Sequence, residues 1–303
     1  MTTLDETICL AHHDGLLEVE PIYLAEGIKE CVGFLCEQLE GAESTKPQPK
    51  ATCFFIRAVG TDETGYMYIV TAKHVVEHLN RDGARNTFLR LHRGSPGEWD
   101  QGPYIPLDKK GWVFHSDPRV DLAVYPWVGP AKTGFTVSLL SFEKIMQTPS
   151  FQARQVITEG KPLAWPLKEG EDVWFISLML VFPGEQRNLP VVRRGSITLM
   201  PSEPLRGAYG LSDYYVIAVR AYPGHSGSPV WVNYGNTFSL LGVLVYSYPD
   251  LKELQKVTET EQGYSNLDLH LVAPIEKVID IINSDSERKR RGEGREERYY
   301  RGI

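Results

Sequence analysis

The sequence predicts an all-β protein, and three observations support this prediction. Short segments rich in aromatic and β-branched residues follow one another along most of the 303-residue chain. Its 27 glycines and 20 prolines supply frequent turns between these segments. Helical periodicity is confined to a few short stretches. This combination is typical of a β-sandwich or a β-barrel.

The first half of the chain begins with an ambiguous segment. Residues 28–39 are compatible with a helix or a strand, and we expect an opening strand. Residues 72–79 predict one or two turns of helix. Further strands are predicted where apolar and polar residues alternate, or where β-branched and aromatic residues cluster. These strands cover residues 51–59, 65–72, 86–93, 111–116 and 120–128.

The second half follows a crossing segment. Residues 129–150 interrupt the rhythm of strands, and we interpret them as the connection between two halves. Residues 233–236 (NYGN) are typical of a hairpin turn. Residues 273–283 place apolar side chains at helical spacing behind a proline, which predicts a closing helix. The predicted strands of this half cover residues 171–180, 190–200, 214–221, 229–233 and 239–248.

Charge and composition argue against several classes of protein. The net charge of −7 disfavours binding of nucleic acid through bulk electrostatics. No apolar run is long enough to cross a bilayer, and the first residues lack a signal-peptide pattern. We therefore expect a cytoplasmic protein with neither a membrane nor a nucleic-acid partner. Residues 284–303 carry seven Lys or Arg and five Asp or Glu, which is typical of a solvated, disordered tail.

The four cysteines are Cys9, Cys31, Cys36 and Cys53, all in the first fifth of the chain. A secreted fold would spread its cysteines for cross-linking, so we interpret them as free thiols in a reducing compartment. Their spacing does not match a zinc site. We expect buried small side chains here and no metal or organic cofactor.

One short stretch, AYPGHSGSPVWV at residues 221–232, indicates chemistry. A serine hydroxyl is a poor nucleophile unless a base takes its proton and donors stabilise the negative charge on the attacked carbonyl. Glycines let backbone N–H groups approach one point, so the amides of Gly224 and Ser226 are candidate oxyanion donors. Glycine and serine are also common in ordinary turns, so the motif alone is weak evidence.

Two other positions strengthen the interpretation. His74 follows an apolar strand, and Asp121 opens another strand whose remaining residues are apolar. A carboxylate that enters a core needs a donor, and a histidine ring N–H is a suitable one. Asp117 is the alternative acid, but its Ser-Asp-Pro context is typical of a turn, so Asp121 is favoured. The other histidines considered, which we expect to be surface or structural residues, are His78, His115, His225 and His270.

In this order, TAKHVV, DLAV and PGHSGSPV resemble the trypsin-like serine peptidases of the chymotrypsin fold. They are closest in style to the bacterial HtrA (Do-type) branch, here without a PDZ domain. The resemblance spans about residues 30–283. It implies an all-β fold of two packed six-stranded antiparallel β-barrels with a short C-terminal helix. The implied division is an N-terminal extension (1–27), a peptidase domain (28–283, with barrels at about 28–130 and 150–272 and the closing helix at 273–283) and a charged tail (284–303).

The resemblance also implies roles for residues. His74 would be the general base, Asp121 would orient it, and Ser226 would attack the scissile carbonyl of a protein or peptide. Arg220 and Tyr246 would shape the substrate pocket, where Arg220 would favour an acidic side chain unless it is simply a solvated strand residue. The sequence departs from the family at His225, which replaces the Asp or Asn frequently found before the serine.

Two alternatives to an autonomous serine endopeptidase stay open at this stage. The chain could be a catalytically silent protease-fold module that binds protein, although such relatives usually lack one of the three residues. It could also be an effector protease that is active only with a regulatory protein partner. Labelling of the serine by an activity-based probe separates these readings.

Overall fold

The computed structural model describes residues 17–18, 29–39, 46–60, 65–81, 85–93, 104–127, 135–136, 140–141, 167–185, 188–234, 237–248 and 268–292. Strands dominate these ranges. They are β1 (Leu17–Glu18), β2 (Val32–Leu39), β3 (Gln48–Val59), β4 (Gly65–Thr71), β5 (Arg85–Arg90), β6 (His92–Arg93), β7 (Tyr104–Leu107), β8 (Val113–Phe114), β9 (Ala123–Trp127), β10 (Phe135–Thr136), β11 (Leu140–Ser141), β12 (Asp172–Ser177), β13 (Val191–Leu199), β14 (Leu205–Gly207), β15 (Gly210–Ser212), β16 (Tyr215–Ala218), β17 (Pro229–Tyr234), β18 (Thr237–Tyr248) and β19 (Leu269–Pro274). The helices are α1 (Lys73–Leu79), α2 (Ile275–Ile282) and α3 (Asp285–Arg290), with a 3₁₀ turn at Lys109–Gly111.

The first half of the chain forms one antiparallel sheet with the strand order β7-β5-β2-β3-β4-β9-β8. The short strand β11 adds a parallel pairing to β3. Within the described ranges no ladder joins the two outer strands, so this sheet is a half-barrel rather than a closed one. The neighbouring pair β4 and β9 is the part of the sheet that reaches the candidate site.

The second half forms a closed six-stranded antiparallel barrel. Its order is β18-β17-β12-β13-β16-β19, and a further ladder between β18 and β19 closes the ring. The strand β1 extends the edge of β18. Side chains from all six strands fill the interior, including Val173, Phe175, Ile217, Val230 and Val272.

A second apolar core lies between the halves. It combines apolar residues from both faces of the first sheet, such as the neighbours Phe54 and Phe55, with the outer face of the barrel and with α2. The alternation of β19 shows how the two cores are divided. Val272 points into the barrel, whereas Leu271 and Ala273 point into the shared core, as expected for neighbours on a strand.

The fold class predicted from the sequence is confirmed: the protein is all-β, with a closed six-stranded barrel, a half-barrel sheet and few short helices. The ambiguous segment at 28–39 contains the strand β2, and the predicted helix at 72–79 is α1. The predicted hairpin joins β17 to β18, which pair from Tyr234 and Thr237 onwards. Most of the crossing segment 129–150 lies outside the described residues. The strands that were not predicted are β1, β7, β10, β11, β14, β15 and β19.

The closing helix is confirmed, but the tail differs from the prediction. Ile275, Val278, Ile279 and Ile282 of α2 are all buried. The disorder predicted from residue 284 is wrong over residues 284–292, because α3 forms there and packs back on the protein. The Arg291 side chain is buried and donates to the Tyr68 hydroxyl and to the Ile282 carbonyl. The charge-rich composition gave no signal of this burial, and the Tyr68 partner lies 223 residues away in sequence.

The cysteine thiols in the described ranges are free and buried, as predicted for Cys31, Cys36 and Cys53. Burial raises the pKa of each of these thiols, to about 12 for Cys36. Cys9 lies outside the described residues. Among the helices that the structure describes, none is long and apolar enough to cross a membrane.

Candidate active site

His74 and Asp121 both come from the first sheet. His74 lies in the first turn of α1, which directly follows β4, and Asp121 lies two residues before β9. Because β4 and β9 are neighbours, the two side chains meet at one end of that pair. Asp121 Oδ2 lies 2.8 Å from His74 Nδ1, and Asp121 Oδ1 accepts the His74 backbone N–H at 2.9 Å. Both carboxylate oxygens therefore position the histidine.

Burial and hydrogen bonding define the state of the ring. The Asp121 side chain is 1% exposed, whereas that of His74 is 36% exposed. An ionised carboxylate only accepts hydrogen bonds, so the proton of a neutral imidazole belongs on Nδ1. The lone pair of His74 then lies on Nε2, the nitrogen that faces the second barrel.

Ser226 lies in the turn between β16 and β17 of that barrel. Its Oγ is 3.0 Å from His74 Nε2, so the hydroxyl can donate to the ring nitrogen. The three side chains that the sequence singled out thus form one hydrogen-bonded row from Asp121 through His74 to Ser226.

Glycines shape the turn around the serine. Gly224 and Gly227 have φ values of +100° and +86°, in the left-handed region that favours glycine. A Cβ on Gly227 would also overlap the Thr52 carbonyl oxygen and Thr71 Oγ1. The turn can therefore approach the first sheet only because residue 227 lacks a side chain.

The backbone amides of Gly224 and Ser226 are the predicted oxyanion donors. Neither donates a hydrogen bond to another residue in the described part of the chain. The neighbouring amides are engaged in the turn itself: His225 N–H donates to the Tyr222 carbonyl, and Gly227 N–H donates to the Leu244 carbonyl. Their role as oxyanion donors stays a prediction.

Thr52 is a site residue that sequence reasoning missed. Its Oγ1 donates to the Gly224 carbonyl at 2.9 Å and accepts the Leu178 N–H at 2.8 Å. Its own N–H donates to the Ser226 carbonyl at 3.1 Å. This threonine of β3 therefore ties the nucleophile turn to the first sheet. The sequence feature that could have identified Thr52 is a polar residue inside the apolar run ATCFFI, because a buried hydroxyl needs hydrogen-bond partners.

A second missed contact holds the helix that carries His74. Tyr209, between β14 and β15, donates its hydroxyl to the Glu77 carboxylate of α1. Burial, and then the Glu77 hydrogen bond, raises the pKa of Tyr209, so its hydroxyl remains the donor. Lys73 lies over the Tyr209 ring at 4.1 Å and donates to the Pro118 carbonyl. Through Tyr209, the second half of the chain thus contacts two residues of α1, Lys73 and Glu77.

His225, next to the nucleophile, plays a structural role. Its ring is buried, its Nδ1 accepts the Tyr222 N–H at 2.9 Å, and it packs edge-on to Phe175. Burial lowers the pKa of His225 to about 4, and the charges of Arg193 and His270 act in the same direction. This imidazole is therefore neutral near pH 7 and shapes the turn.

The competing acid and histidines lie elsewhere. Asp117 accepts hydrogen bonds from the backbone, Nε and Nη2 of Arg119, and these bonds hold the pKa of Asp117 below its usual range. His78 is exposed on α1, and His115 accepts the Asp117 N–H. Within the described ranges, no three His, Cys, Asp or Glu side chains come together as a metal site would need.

The structure places the two predicted pocket residues, Arg220 and Tyr246, in different environments. The Arg220 side chain is largely exposed, and its Nε lies 3.7 Å from Asp268 Oδ2. Tyr246 packs against the core shared by the two halves. His270 is buried on β19, with its Nδ1 2.9 Å from Ser247 Oγ. The pocket roles of Arg220 and Tyr246 stay predictions.

Comparison with known proteins finds similarity among solved structures. No family model and no curated protein matches the sequence. Among solved structures, the apo MamO protease domain from Magnetospirillum magneticum is 12% identical with a TM-score of 0.49, covering 84% of this chain and 97% of that one. The active form of the Rv3671c protease from M. tuberculosis is 17% identical with a TM-score of 0.45, covering 86% and 82%. Its inactive form is 16% identical with a TM-score of 0.44, and the match covers 86% of this chain and 91% of that one. Such values concern the path of the backbone, so the function is inferred from the site.

Proposed function

We propose that the protein is a serine endopeptidase that cleaves proteins or peptides through an acyl-enzyme on Ser226. The proposal rests on one observation: the His74 ring lies within hydrogen-bonding distance of both the Asp121 carboxylate and the Ser226 hydroxyl. A nucleophile, a base and a group that orients the base are the parts that serine-dependent acyl transfer requires.

In the first step, Ser226 Oγ attacks the scissile carbonyl carbon while His74 Nε2 takes the hydroxyl proton. The carbonyl oxygen becomes an oxyanion, which the amides of Gly224 and Ser226 stabilise. His74 then protonates the leaving amine, the C–N bond breaks, and an ester on Ser226 remains. Water attacks this ester with His74 again as the base, and the carboxylic acid leaves as Ser226 regains its proton.

Asp121 keeps the ring in the productive state. Its Oδ2 holds the proton on Nδ1, which leaves Nε2 free to accept. When the ring becomes positive, the adjacent negative charge stabilises it. Because the carboxylate is buried, this attraction is weakened less by solvent than on an exposed surface.

A fluorophosphonate probe tests the proposal, since it reacts only with an activated serine. The wild-type protein should be labelled at Ser226, and Ser226→Ala and His74→Ala should abolish labelling. Both variants should lower peptide turnover by about 10⁴-fold or more, because the triad acts as a unit. The matched controls are Ser202→Ala and His78→Ala, which change an exposed serine and an exposed histidine one turn along α1.

The controls should keep full labelling and turnover, with unchanged circular dichroism spectra for all four variants. Full turnover in purified Ser226→Ala protein would refute the proposal. Peptide binding without any labelling of the wild-type protein would instead identify a catalytically silent binding module. Labelling that begins only when a partner protein is added would identify a partner-activated protease.

A further inference from the structure

Three consecutive apolar side chains are displayed beside the nucleophile turn. Leu180, Val181 and Phe182, here called the apolar ridge, follow β12 and are 42%, 69% and 61% exposed. Exposed single hydrophobic residues are ordinary, but a run of three leaves much burial free energy unused unless something covers it. The Phe182 N–H donates to the Met179 carbonyl, so the ridge occupies a tight turn.

The ridge touches the residue whose amide faces the reacting carbonyl in the proposed mechanism. A Cβ built on Gly224 would lie 3.2 Å from Leu180 Cγ, so the leucine side chain packs directly on that glycine. Tyr222, two residues before Gly224, is also exposed, and Arg193 lies over its ring at 5.4 Å. Arg193 in turn donates to the Met179 sulfur at the base of the ridge. Arg193 thus links the exposed Tyr222 ring to the ridge that packs on Gly224.

A buried guanidinium from the first sheet fixes the loop that follows the ridge. Arg90 is 1% exposed and donates to the carbonyls of Pro183, Gly184 and Glu185. The Asn188 side chain donates to the Arg90 carbonyl. Burial of a cation is costly unless donors find partners, so this loop keeps the shape that supplies them. The ridge is therefore displayed by a fixed loop, which lowers the entropic cost of binding to it.

We propose that the apolar ridge determines specificity by binding a large apolar side chain of the polypeptide substrate within two residues of the cleaved bond. This inference rests on the proposed function. A substrate carbonyl held at the Gly224 amide brings the adjacent substrate residues, about 3.8 Å apart along the chain, over Leu180. An apolar substrate side chain there covers the ridge from water and gains binding free energy.

Peptide cleavage by ridge variants tests the inference. Pairs of fluorogenic peptides differ only in carrying Leu or Ser at one position, and the pairs cover in turn the two positions on each side of the cleaved bond. In the pair that places its side chain on the ridge, Val181→Ser and Phe182→Ser should lower kcat/KM for the Leu peptide about tenfold, mainly through KM, and leave the Ser peptide unchanged. The matched control is Val59→Ser, which changes an exposed valine at the far end of β3, about 23 Å along the strand from Thr52. It should behave as the wild type with both peptides.

Fluorophosphonate labelling separates the two proposals, because the probe carries no peptide to contact the ridge. Normal labelling with an unchanged ratio between the peptides would overturn the role of the ridge and leave the peptidase assignment intact. Absence of labelling in the wild type would overturn both. If the ridge variants cleave both peptides normally but lose self-association in light scattering, the ridge is a contact between copies and the inference is wrong.

Discussion

The two halves of the molecule bury their apolar residues in different ways. The second half is a closed barrel with an interior of its own. The first half is an open sheet whose core is completed by the outer face of that barrel and by α2. The barrel is therefore self-contained, whereas the first sheet depends on its neighbour for a complete core.

The chemistry of the candidate site follows the same division. His74 and Asp121 belong to the dependent half, and Ser226 belongs to the self-contained barrel. The distance between His74 and Ser226 is therefore set by the contact between the halves, which includes the hydrogen bonds of Thr52. Four substitutions, from the largest expected effect to the smallest, test this division.

Asp121→Asn should have the largest effect, because it acts on the acid–base pair within the first half. The amide nitrogen can donate to His74 Nδ1, which shifts the ring proton to Nε2 and removes the base. By analogy with serine peptidases of the same constellation, we expect turnover to fall by about 10⁴-fold with the fold retained. Steady-state kinetics measure this, with Asp117→Asn at the exposed Arg119 pair as a control of unchanged activity.

Gly227→Ala should disrupt the junction between the halves. The new Cβ meets the Thr52 carbonyl and Thr71 Oγ1 and also sits at a φ of +86°. We expect a loss of about 3 kcal/mol or more in the free energy of unfolding, measured by urea denaturation. Gly170→Ala is the matched control, since its φ is +89° but nothing lies within 4 Å of its Cβ. An equal loss in both variants would show that backbone strain alone is responsible.

Thr52→Val removes the hydroxyl that joins the halves while keeping the shape of the side chain. The Gly224 carbonyl and the Leu178 N–H lose their partner, which should cost about 2 to 3 kcal/mol in unfolding free energy. Turnover should fall as well, because Gly224 is no longer fixed. Thr52→Ser retains the hydroxyl and should recover most of both quantities. If Thr52→Val is as active as Thr52→Ser, the Thr52 hydroxyl does not contribute to the alignment of the site.

Acidification should act on the barrel through His225. Its pKa is about 4 in the folded protein against 6.5 for the free side chain, so the unfolded chain binds more protons between these values. Stability is complete above pH 6.5 and is lost as the pH falls towards 4, by about 2 kcal/mol at pH 5. His225→Asn keeps an acceptor on Cγ for the Tyr222 N–H and should flatten this dependence in urea titrations across that range. A slope equal to the wild type would assign the pH response to other groups.

The three side chains of the candidate site could be singled out from the sequence because each stands in its own local pattern: a histidine after an apolar strand, an aspartate at the start of one, and a serine between glycines. The fold class could also be predicted, since strand signals are local. The contacts of Thr52 could not be predicted, because its partners lie 126 and 172 residues away. Nor could the burial of Arg90, since an arginine in an alternating strand is typical of a solvated face. Long-range hydrogen bonds leave no periodic trace in a sequence.

The position of Arg291 has a consequence for the order in which the protein can be completed during synthesis. Tyr68 emerges from the ribosome early, but Arg291, whose guanidinium donates a hydrogen bond to the Tyr68 hydroxyl, is translated 223 residues later. The isoleucines of α2, which pack into the same core, are also translated after every strand of the two halves. A nascent first sheet therefore stays partly uncovered until α2 and Arg291 have been translated.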